Sequence, residues 1–265
     1  MLRPRITPCL LVHKGGLVKT VGFKAPKYVG DPLNAVKIFN EKEADELIVL
    51  DIDATVDNAE LDYRMIANLA AECRMPLCYG GGIKTPAQAK RIISLGVEKV
   101  AISSAAVEHP DLITQIADEI GCQSVVVVLD VKKRLFGKDY DVFTKNARHN
   151  TKRSVFDLVA DAEKLGAGEL IINSIDLDGE MKGYDLALAE RIRQTVKIPI
   201  TILGGAGALS DIEALIRACG VIGAAAGSLF IFKGVYKAVL INYPTLAQRE
   251  ELIRNALSKA GIGVT

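Results

Sequence analysis

Tryptophan is absent from this 265-residue chain, and aromatic side chains make up only 5% of it. A core with so few rings must be built from aliphatic side chains, as in parallel sheets buried on both faces. Net charge is nearly absent too: 33 lysines and arginines meet 32 acids, leaving +1. That balance argues against the basic footprint of a nucleic-acid-binding domain. With 49% hydrophobic and 25% charged residues, the composition also argues against disorder. The five cysteines (Cys9, Cys73, Cys78, Cys122 and Cys219) form no CxxC pair and have no histidine cluster beside them. Neither a zinc site nor a disulfide framework is expected, and they read as buried free thiols in a reducing cytoplasm. No signal peptide is read at the start, and no apolar run is long enough for a membrane helix. Nothing in the sequence calls for a metal or another cofactor.

What the chain does have is a repeat. Pro8-Cys9-Leu10-Leu11-Val12-His13-Lys14 is echoed by Val127-Val128-Leu129-Asp130-Val131-Lys132-Lys133. Gly80-Gly81-Gly82-Ile83 has a partner in Gly204-Gly205-Ala206-Gly207, and Ser103-Ser104 has one in Gly227-Ser228. Short apolar runs read as strands near 5–11, 46–51, 76–79, 99–103, 124–129, 169–174, 198–203 and 221–226. Between them lie helix signals. Asp31-Pro32, Thr85-Pro86 and His109-Pro110 look like helix starts, Gly96, Gly166 and Gly220 like helix stops, and Thr245 with Gln248 like a capping box. Eight strand–helix units predict an α/β fold, a closed (β/α)8 TIM barrel. The echo predicts two duplicated half-barrels within one domain, approximately 1–122 and 123–265. An open doubly wound sheet has no particular reason to show it. The basic stretch 131–154, which includes Lys138, reads as a long loop over the mouth, partly a hairpin. It is either solvated or a phosphate clamp.

Barrel chemistry sits at the C-terminal ends of the strands. Gly82, Ser103 and Ser104 fall there in one half, and Gly205, Gly227 and Ser228 in the other. Backbone N–H groups, helix N-termini and hydroxyls together suit phosphate, so two facing anion sites imply a ligand with a phosphate at each end. Asp130 ends the fifth strand and points into the mouth, where a carboxylate serves as a general acid or base. Leu11 stands at the corresponding place in the first strand. Asp51, Asp53, Asp176 and Asp178 add polar groups to the same rim. At the opposite end, Arg5, Glu46, Lys99 and Glu169 lie at or near strand starts, either as solvated ends or as an ionic ring closing the bottom.

Together these residues resemble the cyclase subunit of imidazole glycerol phosphate synthase, of histidine biosynthesis. The resemblance covers nearly the whole chain. It rests on Arg5-Ile6-Thr7-Pro8-Cys9-Leu10, Lys19, Gly30-Asp31-Pro32, Leu50-Asp51-Ile52, Gly80-Gly81-Gly82-Ile83, Gly166-Ala167-Gly168-Glu169, Asp178-Gly179 and Gly204-Gly205-Ala206-Gly207. It implies a heterodimer with a glutaminase subunit whose ammonia enters the barrel bottom through a gate of Arg5, Glu46, Lys99 and Glu169. It also implies a bis-phosphate ligand at the top, with Asp178 and Gly179 joining the phosphate-binding set. Asp130 matches the second of two catalytic aspartates, and Lys19 matches a lysine on a mobile first loop. The first aspartate is replaced by Leu11, with Asp53 or His13 as conceivable substitutes. Ser103, Tyr79, Leu203 and Gly16 also depart from the family pattern.

An intact gate under an altered mouth favours a diverged relative that passes ammonia to a separate ATP-dependent sugar amidotransferase, for acetamidino sugars of bacterial surface polysaccharide. The alternative is a working histidine-pathway lyase and cyclase. A stand-alone phosphosugar isomerase would not need the bottom gate. Replacing Lys99 by alanine is expected to disturb use of glutamine-derived ammonia and spare the fold.

Overall fold

The computed structural model describes residues 3–135, 137 and 139–260. Eight parallel strands close on themselves: β1 (Arg5–His13), β2 (Leu47–Asp51), β3 (Leu77–Gly80), β4 (Lys99–Ile102), β5 (Val125–Lys133), β6 (Glu169–Ser174), β7 (Ile200–Leu203) and β8 (Gly223–Ala226). Each pairs with the next, and β8 returns to β1 with Gly223 opposite Arg5 and Ala226 opposite Pro8. Helices follow the strands, and the molecule is a (β/α)8 barrel.

Alternation along each strand divides the core in two. In β5, Val125, Val127 and Leu129 join the large aliphatic layer between sheet and helices, while Val126 and Val128 face the lumen. In β1 the same rule sends Ile6, Leu10 and Val12 outward, and Cys9 and Leu11 inward. Such strands are buried on both faces, which is why they read as continuous apolar runs.

The helix punctuation acts as its chemistry dictates. Asp31 accepts from the Asn34 amide at 2.9 Å with Pro32 in the first turn. Thr85 with Gln88, and Thr245 with Gln248, form reciprocal capping boxes. Helices end just before Gly96, Gly166 and Gly220. At His109-Pro110 the helix begins one residue later, at Asp111. No described helix is long and apolar enough to cross a membrane.

The principal departures from the sequence reading are hairpins on the rim. Strand β1 runs on to His13, turns through Lys14 and Gly15, both at positive φ, and continues as the antiparallel strands Gly16–Val21 and Lys24–Gly30. Strand β5 likewise extends to Lys133 and pairs with Tyr140–Thr144, which pairs with His149–Ser154. The 131–154 stretch is therefore a three-stranded flap; Lys138 lies outside the described residues. A third small hairpin, Phe232–Lys233 with Ala238–Val239, follows β8.

Candidate active site

At the bottom of the barrel the four strand-start charges meet. Arg5 donates to Glu46 at 2.8 Å and to Glu169 at 2.6 Å, while Lys99 donates to Glu46 at 2.6 Å and to Glu169 at 2.8 Å. Cation and anion alternate around a closed ring with no net charge. The Glu46 and Glu169 side chains are only 5% and 7% exposed. Burial alone would weaken the Arg5 and Lys99 charges, but Glu169 and Glu46 outweigh it and hold both cations above their ordinary pKa values. Burial pushes Glu169 up, yet Arg5, Lys99 and the Thr201 hydroxyl at 2.7 Å bring it below the ordinary range. A ring this deep is part of the fold as well as a candidate gate, so Lys99 is not a residue whose loss leaves stability untouched.

At the other end the strands open into a cavity of about 390 Å³. Asp130 lines it, and its Oδ1 accepts from Asn173 Nδ2 at 2.9 Å. Burial lifts the carboxyl to a pKa of about 7; the Asn173 hydrogen bond opposes the shift and the Asp178 charge adds to it. Such a group both gives and accepts a proton near neutrality. Four strands away around the ring of eight, Leu11 faces the same mouth, backed by Leu50 in the lumen cluster. The fifth strand thus ends in an acid–base group, and the facing first strand has leucine at the corresponding place.

Neither sequence candidate for a replacement acid lies among the cavity-lining residues. His13 Nδ1 and Asp53 Oδ1 pair with each other at 2.7 Å on the rim, and Asp53 Oδ2 also takes the Lys14 amide at 2.7 Å. Asp51 does line the cavity, but its Oδ1 is engaged by the Asp53 and Ala54 amides at 2.9 and 3.1 Å.

The first hairpin lies over the cavity mouth as a lid, with Lys19, Thr20 and Phe23 among the lining residues. Asp178 Oδ2 accepts from Thr20 Oγ1 at 2.6 Å and from the Phe23 amide at 3.0 Å, and its carbonyl accepts from the Gly22 amide at 3.0 Å. Gly179 permits this approach: a Cβ there would stand 2.2 Å from the Thr20 carbonyl oxygen. The geometry gives Asp178 and Gly179 the work of latching the lid: two hairpin groups occupy one oxygen of the Asp178 carboxylate, and an anion has little to offer a phosphate. The latch buries Lys19, whose Nζ donates to the Cys9 carbonyl at 2.7 Å. Burial lowers the Lys19 pKa against the opposing pull of Cys9 and Asp178.

The twin loops line the cavity as pairs: Gly82, Ser103 and Ser104 from one half, Gly205, Gly227 and Ser228 from the other. Their backbones correspond. Gly81 and Gly205 have φ of +113° and +108°, and a Cβ on either would lie 2.2 or 2.1 Å from a backbone oxygen, so only glycine fits. Ser103 and Gly227 precede the helices Ser104–Glu108 and Ser228–Ile231, neither of which has a side-chain cap, so backbone N–H groups remain for a ligand. Ser104 Oγ already accepts the Lys145 amide at 2.9 Å.

The described lysines and arginines of the 131–154 flap do not line the cavity; several form ion pairs instead, Arg134 with Asp141 at 2.7 Å, Lys145 with Glu108 at 3.1 Å and Arg153 with Asp161 at 3.6 Å. The sequence reading missed Asn173, Thr20, Lys84 and Asn146. Asn173 had a signal, a lone amide ending the aliphatic strand Leu170-Ile171-Ile172 two residues from an inward position. Among the described residues, no group of three or more His, Cys, Asp or Glu is arranged to hold a metal.

A family model described as "Histidine biosynthesis protein" matches residues 5–237. A Vibrio vulnificus protein provisionally named imidazole glycerol phosphate synthase subunit hisF3 is 57% identical over 253 residues, covering 96% of this chain and 97% of its own. A Pseudomonas aeruginosa protein, provisionally named subunit hisF2 of the same synthase, is 52% identical over 244 residues, covering 92% and 97%. The Lactococcus lactis subsp. lactis imidazole glycerol phosphate synthase subunit HisF is 42% identical over 212 residues, covering 80% and 82%.

Proposed function

This chain belongs to the histidine biosynthesis protein family, alongside HisF-type synthase subunits and their paralogues, and we propose that it is the ammonia-receiving subunit of a glutamine amidotransferase. In this reading a glutaminase subunit docks beneath the barrel as a heterodimer partner. Ammonia passes the ring of Arg5, Glu46, Lys99 and Glu169, rises through the lumen and meets its acceptor at the mouth. The closed four-membered ionic ring carries the reading: two nearly buried carboxylates bridged by two half-buried cations make a costlier floor than aliphatic packing would, and a passage for ammonia gives that cost a use.

The ligand is a small molecule with two phosphates. One is held by Gly82, Ser103 and Ser104, the other by Gly205, Gly227 and Ser228. Their matched backbones also support a division into half-barrels near residue 122. Lys19 closes over the ligand with the first hairpin, and Asp130 moves the proton.

For the acceptor, the names of the relatives favour the histidine-pathway intermediate, which the barrel would cleave and cyclise to imidazole glycerol phosphate. Leu11 favours a second reading. Leucine at the end of the first strand, opposite Asp130, removes one member of the acid–base pair, a loss of ~10²–10⁴ in proton-transfer catalysis. Such a barrel serves better as a conduit to a separate ATP-dependent sugar amidotransferase that turns an acetamido group into an acetamidino group.

A cyclase assay with purified protein, the bis-phosphorylated histidine-pathway intermediate and ammonium salt separates the two, because free ammonia bypasses the glutaminase. Product from the unaltered chain establishes the cyclase. No product, with partial rescue by Leu11→Asp, leaves the conduit reading and excludes the cyclase.

A further inference from the structure

One hydroxyl in the barrel lumen has nothing to bond. Thr7 is wholly buried, and its Oγ1 has no hydrogen-bond partner among the described residues. Alternation along β1 puts Arg5, Thr7, Cys9 and Leu11 on the inward face, so Thr7 stands one layer above the ionic ring and one below the lumen cluster. Its backbone lies opposite Ala225, and the β1–β2 register that pairs Cys9 with Ile48 places it beside Glu46. The surrounding lumen is apolar, with Cys9, Cys78, Ala101, Val126, Ile171 and Ala225. The other threonine near the ring, Thr201, is already committed to Glu169 at 2.7 Å.

A buried hydroxyl without a partner destabilises a fold, and an aliphatic side chain of the same shape would avoid that cost. A ligand explains why the hydroxyl is there. We infer that Thr7 Oγ1–H is the first binding station for neutral ammonia above the ring, donating its hydrogen bond to the ammonia lone pair. This rests on the conduit role proposed above and specifies the form of the cargo.

Ammonium has no lone pair to accept the bond. The ring offers it no spare anion, since both carboxylates are already shared between Arg5 and Lys99. The layer above it is built from Cys9, Cys78, Ala101, Val126, Ile171 and Ala225, and an unpaired cation among such side chains is strongly disfavoured. One neutral hydrogen bond is strong enough to draw ammonia past the ring and weak enough to release it toward the mouth.

The test uses the full chain with 13C-labelled threonine γ2-methyl groups; Thr7→Val assigns the Thr7 signal by its disappearance. On titration with ammonium chloride well above ammonium's own pKa, that signal is expected to shift and saturate. It should stay in place at neutral pH, and with potassium chloride at either pH. A signal that does not move with ammonia, or moves equally with potassium chloride, overturns the station and leaves at most a trapped water.

In the complex with its glutaminase, Thr7→Val should cut product formed from glutamine about 2- to 10-fold, the worth of one neutral hydrogen bond, and leave product formed from ammonium salt unchanged. It should also raise the melting temperature, since it deletes an unpaired buried group. An equal loss with both nitrogen sources overturns a role in transit. Saturable binding in a chain that transfers no ammonia to any acceptor would refute the proposed function and keep the site.

Discussion

Replacing Lys99 by methionine tests whether the floor of the barrel is a buried ring or a set of solvated strand ends. The Lys99 side chain is 18% exposed, and its Nζ holds Glu46 at 2.6 Å and Glu169 at 2.8 Å, both carboxylates being nearly closed to solvent. Methionine keeps the volume and removes the charge, leaving two buried carboxylates to share Arg5. Breaking a buried ion pair from one side costs about 3–5 kcal/mol, and the surviving Arg5 bridges place this case near the lower figure. Against a total stability of about 5–15 kcal/mol, most of the protein stays folded. For a chain of this size the loss corresponds to a fall in melting temperature of roughly 6–12 °C.

The effect has a definite pH signature. The folded pKa of Glu169 lies below its unfolded value of 4.5, so its contribution is fully present above that value and is lost as pH falls through the folded pKa. The variant weakens that contribution, so the gap to the unaltered protein should be widest near neutrality and close in acid. Urea unfolding at a series of pH values reads both. Adding Glu46→Gln to Lys99→Met should recover part of the loss, because one uncompensated charge is gone. A difference under about 1 kcal/mol that ignores pH is the behaviour of an exposed pair and would refute the argument.

Asp130 carries the opposite sign. Its folded pKa of about 7 stands above the ordinary 3.8, so the native state holds a proton that the unfolded chain has released. Stability should fall as pH rises between those values, and Asp130→Asn should unfold at higher urea relative to the unaltered protein at pH 8 than at pH 4, while any turnover drops by about 10²–10⁴. For the lid, Thr20→Ala removes a hydroxyl that donates to Asp178. Amide exchange at Gly22 and Phe23 should accelerate by roughly 10- to 100-fold, as expected for one charge-assisted hydrogen bond, with the barrel strands unaffected. Unchanged exchange at those two amides would mean the hairpin is held by something other than the latch.

Much of this molecule is legible in its residues because local chemistry and fold agree. Aliphatic runs of the right length became all eight barrel strands. Asp31, Thr85 and Thr245 cap the helices they introduce, and the doubled glycine turns adopt matching backbones. The hairpins were harder to see. The lid strand Lys24–Gly30 is mostly exposed, so no apolar alternation marks it, and the hairpin is held in place by a latch 158 residues away, from Thr20 to Asp178.

The functional site divides along the same line. Sequence alone determined which residue types stand at the strand ends, including the leucine where the internal repeat has an aspartate, because a strand's period fixes which side chains face inward. Only the tertiary structure decided how they act. Closure of the sheet turned four separate charges into one buried ring and excluded the His13–Asp53 pair from the cavity. It also engaged Asp178 with the lid and left the Thr7 hydroxyl alone in the lumen. Those outcomes depend on burial and on partners far apart in the chain, and both exist only once the eighth strand meets the first.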